Sequence, residues 1–277
     1  MPDLPALTAL RYVQPLREGG SLPAVVATDD GLYVVKFRGA GQGPKALIAE
    51  LICAQLARLL GLPTPDPAVV EVPPLFGRAE PDSEIRELLA KSTGTNVGLR
   101  YLDGAFNFAL SPAHDVIAPD LAARIVWFDA LVTNPDRTHR NVNILVWQRR
   151  PYLIDHGAAL YAHHDWTLVD DERTRTPFPL IRHHTLLAAA GDGAAVDEEL
   201  AARIDEPALA AILAAVPDAL LRDERIAADF PSAEAARQRY VRYLHRRLVP
   251  PRAFVAEAVA AQAARRAEPA VHLAARR

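Results

Sequence analysis

The sequence predicts an α+β fold of two lobes, a β-rich first part over residues 1–104 and a mainly helical second part over 105–277. Three observations point there. Short β-branched and aromatic runs separated by turn residues crowd the first hundred positions. A Gly- and Pro-bearing stretch, "YLDGAFNFALSPAHD" (101–115), marks a change in composition and reads as the join. Beyond it, Ala-, Leu- and Arg-rich segments with helical spacing dominate.

In order, "RYVQPL" (11–16), "AVVAT" (24–28) and "YVVKF" (33–37) are strands of an antiparallel meander, separated by "REGGSLP" and an Asp-Gly turn. The run 43–62, "GPKALIAELICAQLARLLGL", is a helix with Pro44 at its first position and Gly61 at its stop. "PAVVEVP" (67–73) and "VGLRYL" (97–102) are further strands, flanking a short helix at 82–92. In the second part, an apolar helix over 119–134 leads into "NPDRTHRNVNILV" (134–146). Two strands, 143–147 and 151–157, follow around the turn "QRR". Segments 206–216 and 232–249 are amphipathic helices, and the tail from 262 is frayed or a weakly held helix.

At 277 residues, half of them apolar, the chain can bury a substantial core. A net charge of −3 and a pI near 6.3 argue against direct nucleic-acid binding or a polyanionic surface partner. The single cysteine, Cys53, cannot form an internal disulfide, and the start lacks the basic flank and apolar core of a secretory signal. No run of eighteen apolar residues occurs, so no membrane span is expected, and the expected location is cytoplasmic.

Four positions carry chemistry only in combination. Glu50 is the one charged residue between Lys45 and Arg58, with Ala46, Cys53, Ala54 and Ala57 as helical neighbours. A carboxylate among such side chains either reaches water at the edge of the buried face or needs a cation. Lys36 interrupts an apolar strand and is the natural partner, although an edge lysine is the plain alternative. An ion pair of this kind can hold an ammonium group against a nucleotide phosphate. Gly19, Gly20 and Ser21 lie between two strands, where glycine lets backbone N–H groups approach a phosphate, or simply makes a hairpin turn.

Asp136 and Asn141 lie five apart, and Asp155 follows at the end of an apolar strand in "LIDHG". Asp-x-x-x-x-Asn, a strand, a turn, a second strand and Asp-x-Gly is the order used in kinase-type phosphoryl transfer. One carboxylate orients a hydroxyl and takes its proton, while an amide oxygen and a second carboxylate suit Mg²⁺, a hard cation.

These stretches, "YVVKFRG", the helix from 43, "NPDRTHRNVNIL" and "LIDHGAAL", resemble the HipA-like kinases over residues 10 to 165. The resemblance implies a protein-kinase-like bilobal fold and an ATP- and Mg²⁺-dependent phosphotransferase. It implies Asp136 as catalytic base, Asn141 and Asp155 as Mg²⁺ ligands, and Lys36 held by Glu50 as the phosphate-contacting lysine. It places Gly20 and Ser21 in the nucleotide-covering loop, where Ser21 corresponds to an autophosphorylated serine, and residues 101–104 at the hinge beside adenine. The chain begins almost directly with the first strand, so the toxins' N-terminal subdomain and antitoxin partner are not part of the expectation. Thr138 stands where relatives place histidine or lysine, leaving Arg137 or Arg140 to supply positive charge, and Asn143 is a second candidate ligand.

Two other readings compete. His139, His156, His163, His164, His183 and His184 invite a His/Asp metal phosphohydrolase, which the strand-borne Asp155 fits poorly. A non-catalytic nucleotide-binding module would share the fold. The acceptor is a protein hydroxyl by family resemblance or a small-molecule alcohol, and 165–184 is an ordered extended loop in the place where substrate is met. Thr167, Thr174 and Thr176 in that loop are candidate phosphosites.

Overall fold

The computed structural model describes residues 4–16, 22–109 and 116–267. Strands β1 (Ala6–Pro15), β2 (Ala24–Thr28), β3 (Gly31–Lys36), β4 (Pro67–Val72) and β5 (Gly94–Arg100) make up the first part, with helices α1 (Gly43–Leu59) and α2 (Ser83–Lys91). The antiparallel β1–β2–β3 order is the expected one. The sheet, however, is not an open meander. It closes into a five-stranded barrel in the order β1-β2-β3-β5-β4.

Closure comes from the first half of β1, which lies outside the run 11–16 expected as strand. Ala6–Thr8 pair in parallel with Val69–Glu71 of β4, while Ala9 to Pro15 pair with β2. Register shifts at Ala9/Arg11 and Tyr12/Gln14 bend the strand, as bulges do, so its two ends reach two different neighbours. Gly98 in β5 is required by packing: a Cβ there would lie 3.0 Å from Val70 Cγ2 and 3.3 Å from Tyr33 Cβ. The barrel is filled by Ala24, Val26, Tyr33, Val35, Val70 and Val72, and α2 covers one side with Ile85 and Leu89. Asp82 caps α2, accepting from the N–H groups of Glu84 and Ile85.

Helix α1 is buried from Gly43 through Ala57 except at Lys45, which is half-buried. It has no polar stripe because it lies between the barrel and the helical half, and its Leu47, Leu51 and Leu56 belong to the same core as the later helices. That second core is centred on α3 (Pro119–Leu131), α9 (Ala233–Leu248) and α10 (Ala253–Ala267), with four short helices, α5 (Asp197–Ala202), α6 (Glu206–Ala214), α7 (Asp218–Leu221) and α8 (Glu224–Ala227), around them. A small sheet of β6 (Phe106–Asn107), β7 (Ile144–Trp147) and β8 (Arg150–Leu153) shares a cleft with the barrel.

The second strand of this hairpin stops at Leu153, earlier than 157, because Asp155 takes a left-handed backbone, φ 54°. Residues 165–184 are ordered as turns, a one-turn helix α4 (Asp171–Thr174) and a 3₁₀ turn at Pro179–His183, instead of one extended loop. Local capping explains this: Asp165 and Asp170 side chains accept from the N–H groups of Thr167 and Arg173. The tail forms α10 up to Ala267, anchored by Phe254 against Trp127, with ring centres 5.5 Å apart. Among the described residues no helix is long and apolar enough to cross a membrane.

Candidate active site

Lys36 ends β3 with its side chain in the space between the barrel and the helical half. Its Nζ lies 2.5 Å from Glu50 Oε2 and 2.5 Å from Asp155 Oδ1. Three segments far apart in sequence therefore converge on one ammonium group. Glu50 does not reach water, being only 1% exposed. It accepts from the backbone N–H of His156 at 2.9 Å, and His156 Nδ1 lies 3.3 Å from its other oxygen. The residue following Asp155 thus ties the end of the hairpin to α1.

Electrostatics follow from this burial. Desolvation alone would raise the Glu50 carboxyl, but the Lys36 charge and the His156 contact outweigh it and hold it down at about 2. Burial would likewise lower the Lys36 ammonium, yet Glu50 and Asp155 push it well above its ordinary value. Lys36 is therefore a fixed cation and Glu50 a fixed anion across the physiological range.

Asp136 sits half-buried beyond the end of α3, reached by two amides. Asn141 Nδ2 donates to Asp136 Oδ2 at 2.6 Å and Asn143 Nδ2 to the same oxygen at 3.2 Å. Burial first, then the Asp155 charge, raises the Asp136 carboxyl above its usual value, against the lowering effect of these amides. The sequence left Asn141 and Asn143 as rival ligands, and both meet Asp136. Their amide oxygens accept no hydrogen bond from the described residues.

A cleft of about 910 Å³ joins these groups, lined by Lys36, Glu50, Asn141, Asn143 and Asp155 on one side. Val34, Val97, Tyr101, Leu102 and Phe108 supply apolar walls. Tyr101 and Leu102 come from the segment expected beside adenine, and the Tyr101 N–H bonds to Leu32 O at 2.9 Å. The volume is of the size that takes a cofactor or drug-sized ligand. Gly20 and Ser21, expected in the covering loop, lie outside the described residues.

The donor set fits a hard divalent cation. It offers the Asp155 carboxylate and two uncommitted amide oxygens, with no thiolate or imidazole among them. The histidines are engaged differently. His156 meets Glu50, His163 Nδ1 meets the Tyr240 hydroxyl at 3.1 Å, and His184 Nε2 lies 2.9 Å from Asp129 Oδ2. No group of three or more His, Cys, Asp or Glu that could hold a metal ion occurs among the described residues. The histidine-based hydrolase site therefore does not assemble there.

One part of the site was missed in the sequence. Asp129, the lone acid in the apolar body of α3, is completely buried and pairs with Arg137 Nε at 2.6 Å. Asn134 Nδ2 donates to it at 2.9 Å, and Asn134 Oδ1 accepts from the Asp136 N–H at 3.1 Å. Arg137 also donates to the carbonyls of Asn143 and Ile154, one residue before the first strand of the hairpin and one before Asp155. Its own carbonyl accepts from Thr185 N–H at 3.0 Å. The Asp129 carboxyl, which burial would raise, is held below the usual carboxylate range by the Arg137 charge and the His184 contact. The available signal was the one used for Glu50, a single acid in an apolar helix.

No curated protein sequence matches the chain. Among solved structures, a Helicobacter pylori proinflammatory kinase, CtkA, is similar in fold, with a TM-score of 0.55 over 96% of this chain and 100% of its own, at 12% identity. A family model described as HipA-like kinase matches residues 12–173, more than half of the sequence. The chain belongs to the HipA-like kinase family.

Proposed function

We propose that the protein is an ATP- and Mg²⁺-dependent phosphotransferase that moves a γ-phosphoryl group to a hydroxyl, a Ser or Thr of a protein in the first instance. The observation that carries this reading is the convergence of Lys36, Glu50 and Asp155 within hydrogen-bond distance at a cleft lined also by Asn141 and Asn143, whose side-chain amides hold Asp136. Residues 1–104 and 105–277 then serve as two lobes with the nucleotide between them.

In this reading Lys36, kept charged by Glu50, contacts the nucleotide phosphates. Asp136 orients the acceptor hydroxyl and takes its proton as the acceptor oxygen bonds to the γ-phosphorus and the bond to the β,γ-bridging oxygen breaks, releasing ADP. The raised Asp136 carboxyl makes a better proton acceptor than an ordinary aspartate. Asp155 with Asn141 or Asn143 would hold Mg²⁺, which neutralises phosphate charge when bound. Lys36, Glu50, Asp136 and Asp155 sum to a formal charge of −2. A divalent ion offsets part of that charge and of the nucleotide's own.

ATP turnover by the wild-type chain with added Mg²⁺, abolished in Asp136→Ala while ATP binding persists, is the expected result. Binding without turnover across acceptors would instead favour a non-catalytic nucleotide-binding module. Radiolabelled ATP applied to whole lysate, with proteins and small metabolites resolved separately, distinguishes a protein acceptor from a small-molecule alcohol.

A further inference from the structure

We propose that the acceptor is an acidic peptide segment, recognised by a cationic strip made jointly by the base-bearing loop and Arg182; this rests on the phosphotransferase reading above. The strip is built by an antiparallel bridge between Thr138 and His184. On its inner side the two segments are locked, by the Thr185 N–H to Arg137 carbonyl bond of 3.0 Å and by His184 Nε2 on Asp129 at 2.9 Å. Arg137 and His184 are accordingly buried. Beyond the bridge the next residues of each segment, His139 and Arg140 on one and His183 and Arg182 on the other, are all exposed.

Neither Arg140 nor Arg182 forms an ion pair among the described residues, and the Arg182 Nε spends one N–H on His183 Nε2 at 3.0 Å. Arg140 also lines the cleft beside Asn141, whose amide holds Asp136. The strip therefore starts next to the proton-accepting carboxylate and runs outward onto the surface where an acceptor chain must lie. The nearby Asp136 and Asp155 carboxylates repel those of an approaching peptide. Arg140, which lines the cleft, and Arg182, neither in an ion pair among the described residues, offset that repulsion and offer planar, bidentate partners for carboxylates flanking the acceptor hydroxyl. An exposed pair contributes modestly, so the expected selectivity from two contacts is about fivefold, and salt weakens it.

The test uses the full chain, ATP, Mg²⁺ and three matched serine peptides carrying Glu, Ala or Lys around the serine. The readout is the ratio of kcat/KM between peptides, which a general loss of fold or activity does not alter. We expect the Glu peptide to be favoured about fivefold over the Ala peptide, the ratio to fall towards one in R140Q/R182Q, and preference to swing to the Lys peptide in Arg182→Glu. Equal rates for Glu and Ala peptides, or a preference unchanged in the double variant, overturns the proposal. Production of ADP with no peptide labelled overturns it too, while leaving the phosphotransferase reading in place. No ADP under any condition removes that reading itself, and the acidic-peptide proposal with it.

Discussion

Arg137→Met is expected to destabilise the protein more than any surface change, and the structure gives the size. Asp129 has no exposed side-chain surface, and among the described residues Arg137 is its sole ionic partner other than a histidine whose own charging burial disfavours. Removing the guanidinium leaves a carboxylate in the core with only Asn134 and His184 to satisfy it. Breaking one side of a buried pair costs about 3–5 kcal/mol. For a chain of this size that lowers Tm by about 6–20 °C. The double variant R137M/D129N removes the stranded charge and keeps an amide oxygen for one neighbour. It should recover about half of the loss, and a double-mutant cycle by thermal denaturation measures the coupling. Activity should not follow stability. Without Arg137 nothing ties the carbonyls of Asn143 and Ile154 to α3, and a small displacement of aligned groups costs on the order of 100-fold in turnover. A double variant that regains full turnover, or a single variant that loses under about 1 kcal/mol, refutes the clamp.

Further outcomes follow from the same geometry. Because the Glu50 carboxyl is held at about 2 in the fold, it contributes stability that is fully present above its unfolded value near 4.3 and lost as pH falls towards 2, on the order of 3 kcal/mol. Acid titration of unfolding should therefore be shallower over that window in Glu50→Gln than in the wild type, and parallel curves would contradict the assignment. Lys36→Met leaves both Glu50 and Asp155 without their cation, so calorimetry should show weakened ATP binding together with a lowered Tm. EDTA should abolish turnover without shifting Tm, because Asn141 is exposed and the Asp155 side chain is partly so. A large Tm shift would mean the cation is structural. Gly98→Leu must displace Val70 or Tyr33 in the barrel wall and is expected to cost about 1–3 kcal/mol, read by denaturant unfolding, with no direct contact to the cleft.

The sequence alone was enough to place most elements and to nominate the groups that meet in the cleft. Strand 24–28 and the start of α1 at 43 coincide with the observed elements, since β-branched runs, Asp-Gly turns and a Pro near a helix start act through the local backbone. Lys36, Glu50, Asp136, Asn141 and Asp155 were legible because a charged residue in an apolar run needs a reason nearby, and their spacing supplied one. What only the tertiary structure decided depends on partners distant in sequence. Barrel closure needs Ala6–Thr8 to find Val69–Glu71, a pairing that no local pattern encodes. The Arg137–Asp129 pair looks like two unrelated charges until the turn after α3 folds one onto the other. Likewise His184, read as one of several histidines, gains its meaning from lying against Asp129 and the base-bearing loop, 55 residues away. Local propensity acts within a few residues, whereas burial of a charge is satisfied by whichever partner the whole fold brings to it.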